Sequence, residues 1–218
     1  MALAIFDLDN TLLAGDSDHA WGAFLVAQGV VDRADYQRAN DYFYARYQAG
    51  TLDIHEYVQF VVQPLQELGR NKREALREQF LQEVVSSMIA PGSAALLDRH
   101  RRQGDTLLII TATIDFITRP IADLLGVPSL LATQPEQDAE GQFTGRIDGV
   151  PAFREGKIKR LGDWLQDQDD TFPRRWFYSD SHNDLPLLEQ VTDPVAVDPD
   201  PTLNQIAEHR SWPVISLR

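Results

Sequence analysis

The chain of 218 residues contains no cysteine. That absence excludes thiol nucleophiles, disulfides and Cys-ligated zinc, and it fits a cytoplasmic protein. It also has no apolar run of about 18 residues, so neither a transmembrane helix nor a membrane partner is expected. The N-terminus lacks a basic stretch, and its short apolar segment is broken at once by Asp7 and Asp9, so it does not read as a signal peptide. Basic residues are scarce: 20 Lys and Arg against 33 Asp and Glu give a formal net charge of −13. That balance argues against nucleic acid as a main partner, since phosphate backbones call for basic stripes. It leaves room for a small phosphorylated metabolite, because a metal ion and one lysine can reverse a local potential. Internal repeats and low-complexity tracts are lacking too. What remains is long enough for one substantial domain, or for one domain carrying an insertion.

Apolar strands are expected at 2–7, 106–110, 129–132, 175–179 and 194–197, with helical patterns between most of them. This alternation predicts an α/β fold with a mostly parallel sheet. The interval from Gly15 to Ile89 breaks it. Helical segments are expected near 17–28, 33–49, 53–67 and 70–87, and Asp53 with Glu56 reads as a capping box. The string Glu140-Gly141-Gln142-Phe143-Thr144-Gly145-Arg146-Ile147 combines turn chemistry with alternation and predicts a β-hairpin within 134–150.

The first strand, Ile5-Phe6-Asp7-Leu8-Asp9-Asn10-Thr11-Leu12, delivers two carboxylates one residue apart to its C-terminal end. Burying two acids is costly unless a cation or a base offsets it. A second strand ends in Thr111-Ala112-Thr113. Lys157 opens an amphipathic helix after Arg154-Glu155-Gly156. A third strand runs into Ser179-Asp180-Ser181-His182-Asn183-Asp184. In open α/β sheets ligands bind beyond the carboxyl ends of the strands, where Asp7, Thr111 and Asp180 all fall.

This ordered set resembles the four motifs of the haloacid dehalogenase (HAD) superfamily of phosphohydrolases, and most closely the phosphoserine phosphatase-like subgroup. The resemblance covers nearly the whole chain. It implies a Rossmann-like core over 1–14 and 90–218, a helical cap over 15–89 that closes on the site, and the small flap at 134–150. It also implies Mg²⁺. By resemblance, Asp7 is the nucleophile that forms an aspartyl-phosphate, and Asp9 is the general acid–base whose backbone carbonyl also ligates the metal. Asp180 would be the second carboxylate ligand, with Asp184 acting through a metal-bound water. Thr111 would donate to the transferring phosphoryl group, and Lys157, rather than its neighbour Lys159, would neutralise the charge shared by Asp7 and the phosphate. Asn183 would hold the loop or the phosphate. Ser179 and Ser181 stand where family members often carry glycine.

For substrate binding, Asp16 matches the place of an acid that contacts the substrate amine in phosphoserine phosphatases, and it serves equally as a helix N-cap. Thr113 is counted with Asp16 and Asn183 among the substrate-binding residues. Trp21 reads as core. The arginine that would grip a substrate carboxylate is missing: none occurs between Arg46 and Arg70. A substrate with an amine but no carboxylate fits better, and histidinol phosphate is the first expectation, with an imidazole stacked on Tyr42, Phe43, Tyr57 or Phe60. Phosphoserine is the second. A phosphotransferase or a non-catalytic phosphometabolite-binding protein is the alternative of a different class. The chain is expected to act as a monomer or homodimer.

Overall fold

Strand β1 (Leu3–Phe6) is buried at every position, as a strand covered on both faces requires. Alternate side chains enter opposite cores: Ala4 and Phe6 join one apolar cluster, Leu3 and Ile5 the other. The computed structural model describes all 218 residues. Its six-stranded sheet runs in the order β3-β2-β1-β6-β7-β8, with β2 Thr106–Ile114, β3 Ser129–Thr133, β6 Arg175–Ser179, β7 Asp193–Val197 and β8 Val214–Ile215. Every pairing in it is parallel. With β1 central between β2 and β6, the C-terminal ends of these three strands are neighbours. That adjacency brings residues 7, 111 and 180 together.

Five helices interrupt the alternation: α1 (Ser17–Ala27), α2 (Arg33–Gln48), α3 (Ile54–Gln66), α4 (Arg70–Phe80) and, after a widened turn at Leu81–Val85, α5 (Ser86–Met88). Each of the first three starts at an aspartate whose side chain accepts from first-turn N–H groups: Asp16, Asp32 and Asp53. Trp21, Phe24 and Phe80 pack as a buried aromatic cluster inside this insertion. Trp21 is therefore core, as its helical position suggested. The insertion joins the sheet through a two-stranded neck, where Ala90 N–H donates to the Leu12 carbonyl (3.0 Å) and Ala14 N–H to the Met88 carbonyl (2.6 Å).

After the neck come α6 (Ser93–Arg102), β2 and α7 (Asp115–Leu124), then β3. β2 runs four residues beyond the expected end at 110, and its pairing with β3 shifts register between Thr111 and Ile114. The irregularity keeps the chain extended through Thr113, so Thr111 and Thr113 share one face. Strands β4 (Pro135–Gln137) and β5 (Phe143–Ile147) form an antiparallel hairpin. It docks on the insertion: Gln66 Nε2 donates to the Phe143 carbonyl at 2.8 Å, and Arg73 Nη2 to the Gly141 carbonyl at 3.1 Å. Helices α8 (Glu155–Gln166), α9 (Leu185–Leu188) and α10 (Pro201–His209) complete the core layers.

Candidate active site

The chain leaves β1 through Asp7 and turns sharply at Asn10, whose φ of 56° is a left-handed conformation that asparagine tolerates. The turn sends the two acids of the motif to different partners. Asp7 is 3% exposed and accepts from Lys157 Nζ at 2.7 Å. The Asp9 side chain points the other way, accepting from the Ser17 N–H at 2.6 Å and the Thr113 hydroxyl at 2.8 Å. Thr113 thus contacts the second acid of the motif directly. Thr111, also buried, accepts the Thr113 N–H at 3.2 Å.

Lys157 sits one turn into α8, fully buried, with Nζ 2.7 Å from Asp7 and 2.7 Å from Asp184. Burial opposes its charge, but Asp184 and Asp7 outweigh burial and hold the ammonium above its ordinary range. Lys159 pairs with Asp163 on the surface and is remote from these acids. A Cβ on the preceding Gly156 would overlap the Pro151 carbonyl oxygen, so only glycine lets the helix start here.

The two serines of the third motif pin its loop. Ser179 Oγ donates to Asp184 at 2.7 Å and accepts the Ser181 N–H at 3.1 Å, and Ser181 Oγ accepts the Asn183 N–H at 3.2 Å. Hydroxyls here supply loop geometry that glycines would supply through backbone freedom. Thr11 ties the loop to the first motif: its Oγ1 accepts the Asp180 N–H and lies 3.1 Å from Asp180 Oδ1 and 3.4 Å from Asp7 Oδ2. The Asn183 side chain reaches out of its own loop to the insertion and to the start of α8. Its Nδ2 donates to the Tyr47 carbonyl at 3.0 Å and its Oδ1 accepts from Arg154 Nε at 3.3 Å.

Electrostatically the acids are under strain. Burial, opposed by Lys157 and reinforced by Asp184, raises Asp7 to about 7. Burial and Asp16 raise Asp9 to about 6, against the hydrogen bonds from Ser17 and Thr113. Asp180 is pushed well above the carboxylate range by burial, then by Asp7 and Asp184, and its side-chain partner is a neutral hydroxyl. No three His, Asp or Glu side chains close on one point, and the Asp9 side chain is engaged by Ser17 and Thr113 instead. Two crowded carboxylates with oxygen donors and a single shared lysine fit a hard divalent cation, which prefers oxygen ligands and would relieve their repulsion.

Above Asp7 and Asp9 lies a cavity walled by Asp16, Asp18, Phe43, Tyr44, Tyr47, Leu52, Ile54, Tyr57 and Thr111 to Thr113. It contains about 30 Å³ of open space, room for a water or so. This is a closed arrangement, too tight for a phosphorylated metabolite. Of the four aromatics expected to receive a ring, Phe43 and Tyr57 line the cavity. Tyr42 is 54% exposed, and Phe60 instead stacks on Tyr36 (centroids 4.5 Å apart). Period alone could not separate the two faces of α2, whose aromatics occupy both. Tyr44 and Tyr47 went unread for the same reason. No arginine lines the cavity; Arg46 is exposed, with Nε on the Thr51 carbonyl. Asp16 lines the cavity while capping α1 through the His19 N–H at 2.8 Å, so both of its expected placements hold together. Sequence reasoning also missed Arg154. Held at φ 50°, it reaches from the start of α8 to the Gly50 carbonyl on the insertion.

The model of the haloacid dehalogenase-like hydrolases matches residues 4–189. The chain belongs to this family. The histidinol-phosphatase of Neisseria meningitidis serogroup C (strain 8013) is 41% identical over 219 positions, covering 99% of each chain. A solved protein of unknown function from Bordetella pertussis Tohama I superposes with a TM-score of 0.93 at 41% identity, over 100% of this chain and 99% of that one. A phosphoserine phosphatase solved as a phospho-aspartyl intermediate analogue gives a TM-score of 0.71 at 15% identity, over 100% and 93%, a likeness of fold alone. This HAD-family protein is a phosphatase. No helix is long and apolar enough to cross a membrane.

Proposed function

We propose that this phosphatase hydrolyses a small amino-alcohol phosphate, histidinol phosphate first, in the cytoplasm and with Mg²⁺. The observation that carries the reading is the cavity: acids and aromatics face Asp7 and Asp9, with no arginine among them. Such a wall favours a substrate ammonium and a flat ring and penalises a carboxylate, which would be left unpaired. The 41% identity to a protein named histidinol-phosphatase supports the same choice.

In the proposed reaction Asp7 attacks phosphorus and forms an aspartyl-phosphate while Asp9 protonates the leaving alkoxide; Asp9 then takes a proton from the water that hydrolyses the intermediate. A group near pKa 6 is suited to give and take a proton at neutral pH. Lys157 holds Asp7 in line and balances its charge against the incoming phosphate. Thr111 donates to the phosphoryl oxygens. Asp7, Asp180 and the backbone carbonyl of Asp9 would hold Mg²⁺, with Asp184 behind them. The ion would supply neutralisation of phosphoryl charge that one lysine cannot provide. Residues 15–89 act as the cap, and its opening admits substrate.

The test is phosphate release from histidinol phosphate and phosphoserine, with Mg²⁺ and with chelator. Higher kcat/KM on histidinol phosphate by two orders of magnitude or more, lost with the metal, is expected. A preference for phosphoserine would refute the cavity argument. Asp7→Asn should abolish turnover, and near-wild-type activity in that variant would refute the nucleophile.

A further inference from the structure

One buried group in the cavity has no part in the chemistry above. Asp18 is 3% exposed, lines the cavity, and its Oδ1 has no hydrogen-bond partner. It sits in the first turn of α1, where a carboxylate interacts favourably with the helix dipole. That gain is small beside the cost of burying a carboxylate oxygen without a donor. Its neighbours do not meet the need. Asp16 and Asp9 add negative charge, and only the neutral hydroxyls of Tyr57 and Thr113 lie alongside, with Tyr36 further round. Burial with those acids drives the carboxyl well above its ordinary range. Such a group calls for an N–H or a cation that the protein does not provide. Phe43 and Tyr57, 5.4 Å apart between ring centroids, wall the same space with aromatic surface suited to a flat ring.

Histidinol phosphate and phosphoserine share a carbon that bears an ammonium group. They differ in its other substituent, an imidazolylmethyl group in one and a carboxylate in the other. Asp16 and Asp18 lie two residues apart at the start of α1. We propose that Asp18 is the specificity residue for that second substituent: its Oδ1 accepts the imidazole N–H, and it offers no donor to a carboxylate. The inference rests on the substrate reading above and assigns the discrimination to one atom. Asp16 is left to the amine that both substrates carry.

The experiment compares kcat/KM on histidinol phosphate, phosphoserine and phosphoethanolamine, which has the amine alone, for the wild type and Asp18→Asn. The wild type should prefer histidinol phosphate to phosphoethanolamine. In the variant, whose amide oxygen is a weaker match and whose Nδ2 can present a second donor to the ring, that ratio should fall about tenfold, mostly through KM. The ratio of phosphoserine to phosphoethanolamine should rise several-fold. The variant's melting temperature should equal or exceed that of the wild type, because an acid crowded by Asp16 and Asp9 has been replaced by a neutral amide of the same shape. Methylating the imidazole N–H should cost the wild type a similar factor, a test that does not depend on the variant folding. Unchanged substrate ratios in Asp18→Asn, or an equal loss on all three substrates with a lower melting temperature, would overturn the assignment alone. A wild type that does not prefer histidinol phosphate to phosphoethanolamine would overturn the substrate reading, and the assignment with it.

Discussion

Replacing Lys157 with methionine asks whether the buried acids are ionised. Nζ lies 2.7 Å from Asp7 and 2.7 Å from Asp184, and both acids are nearly inaccessible to solvent. At an effective dielectric of about 20, each contact is worth about 6 kcal/mol of attraction, most of it offset by the desolvation of three charges. Removing one member of a buried ion pair costs about 3–5 kcal/mol, because the partner is left charged and unpaired. In a chain of 218 residues a kilocalorie is worth about 2–4 °C of melting temperature, so Lys157→Met should melt about 6–20 °C lower at pH 8 in chelator. The pH dependence carries the sharper information. Without the ammonium, Asp7 takes up a proton as pH falls and the penalty shrinks, so the deficit should be smaller at pH 5. The assay is thermal unfolding by circular dichroism at the two pH values. A variant that melts with the wild type at pH 8, or whose deficit grows at pH 5, would show that the acids are neutral in the native protein. Lys157 would then not be the counter-ion of two buried carboxylates, and its role in balancing Asp7 would fall.

In the metal-free protein, Asp7 and Asp9 are raised to about 7 and about 6 from ordinary values near 3.8. The folded state therefore binds more protons than the unfolded state between about pH 4 and 7, and stability from these two groups is lost as pH rises through that window. The fall should be shallower in Asp7→Asn/Asp9→Asn, and Mg²⁺ at pH 8 should restore stability to the wild type only; equal slopes in chelator would contradict the shifts. Thr113→Val deletes the hydroxyl that donates to Asp9 at 2.8 Å, a bond that lowers the acid's pKa. The limb of the pH–rate profile assigned to Asp9 should move to higher pH and kcat should fall about tenfold, and an unmoved limb would refute the contact's role. Arg154→Ala removes the guanidinium that holds the Gly50 carbonyl and the Asn183 side-chain oxygen. KM should rise several-fold, and amide exchange around 47–51 should quicken; unchanged exchange would mean that the contact does not hold the cap.

The parts of the site legible in the sequence were those carried by local pattern. An apolar run ending in Asp7 and Asp9 reads as a strand with its acids at the tip, because burial and alternation fix where a strand stops. Lys157 stands with Lys159 at the start of one amphipathic helix, and it was the resemblance to the four motifs, not the helix pattern, that singled it out. The unread parts depend on contacts between residues about a hundred or more positions apart. Arg154 meets Gly50, and Thr113 meets Asp9, only after the sheet order is set. Nothing within a few residues of Thr113 distinguishes it from a strand-end threonine. The overrun of β2 past residue 110 was invisible because its cause is a register shift against β3, not a change in propensity. The aromatic wall was half legible: helix α2 carries aromatics at 42, 43, 44 and 47, and which of them face inward follows from how α2 leans on the core.

Helix α2 ends in a turn where the Thr51 N–H reaches back to the Arg46 carbonyl and Gly50 adopts φ 64°. Two main-chain groups there are gripped by the core: the carbonyls of Tyr47 and Gly50, held by Asn183 and Arg154. A side chain at position 50 would press against His182 and Arg154, so the glycine is fixed. Of the residues that α2 presents to the cavity, Tyr47 also sets its ring beside Phe153 of the core, whereas Phe43 packs on Tyr57 and Phe60 within the insertion and takes no part in the joint. Exchange at position 43 would therefore reshape the cavity wall without touching the contacts at the end of α2. A cavity wall and a joint carried by different residues of one helix can change independently of each other.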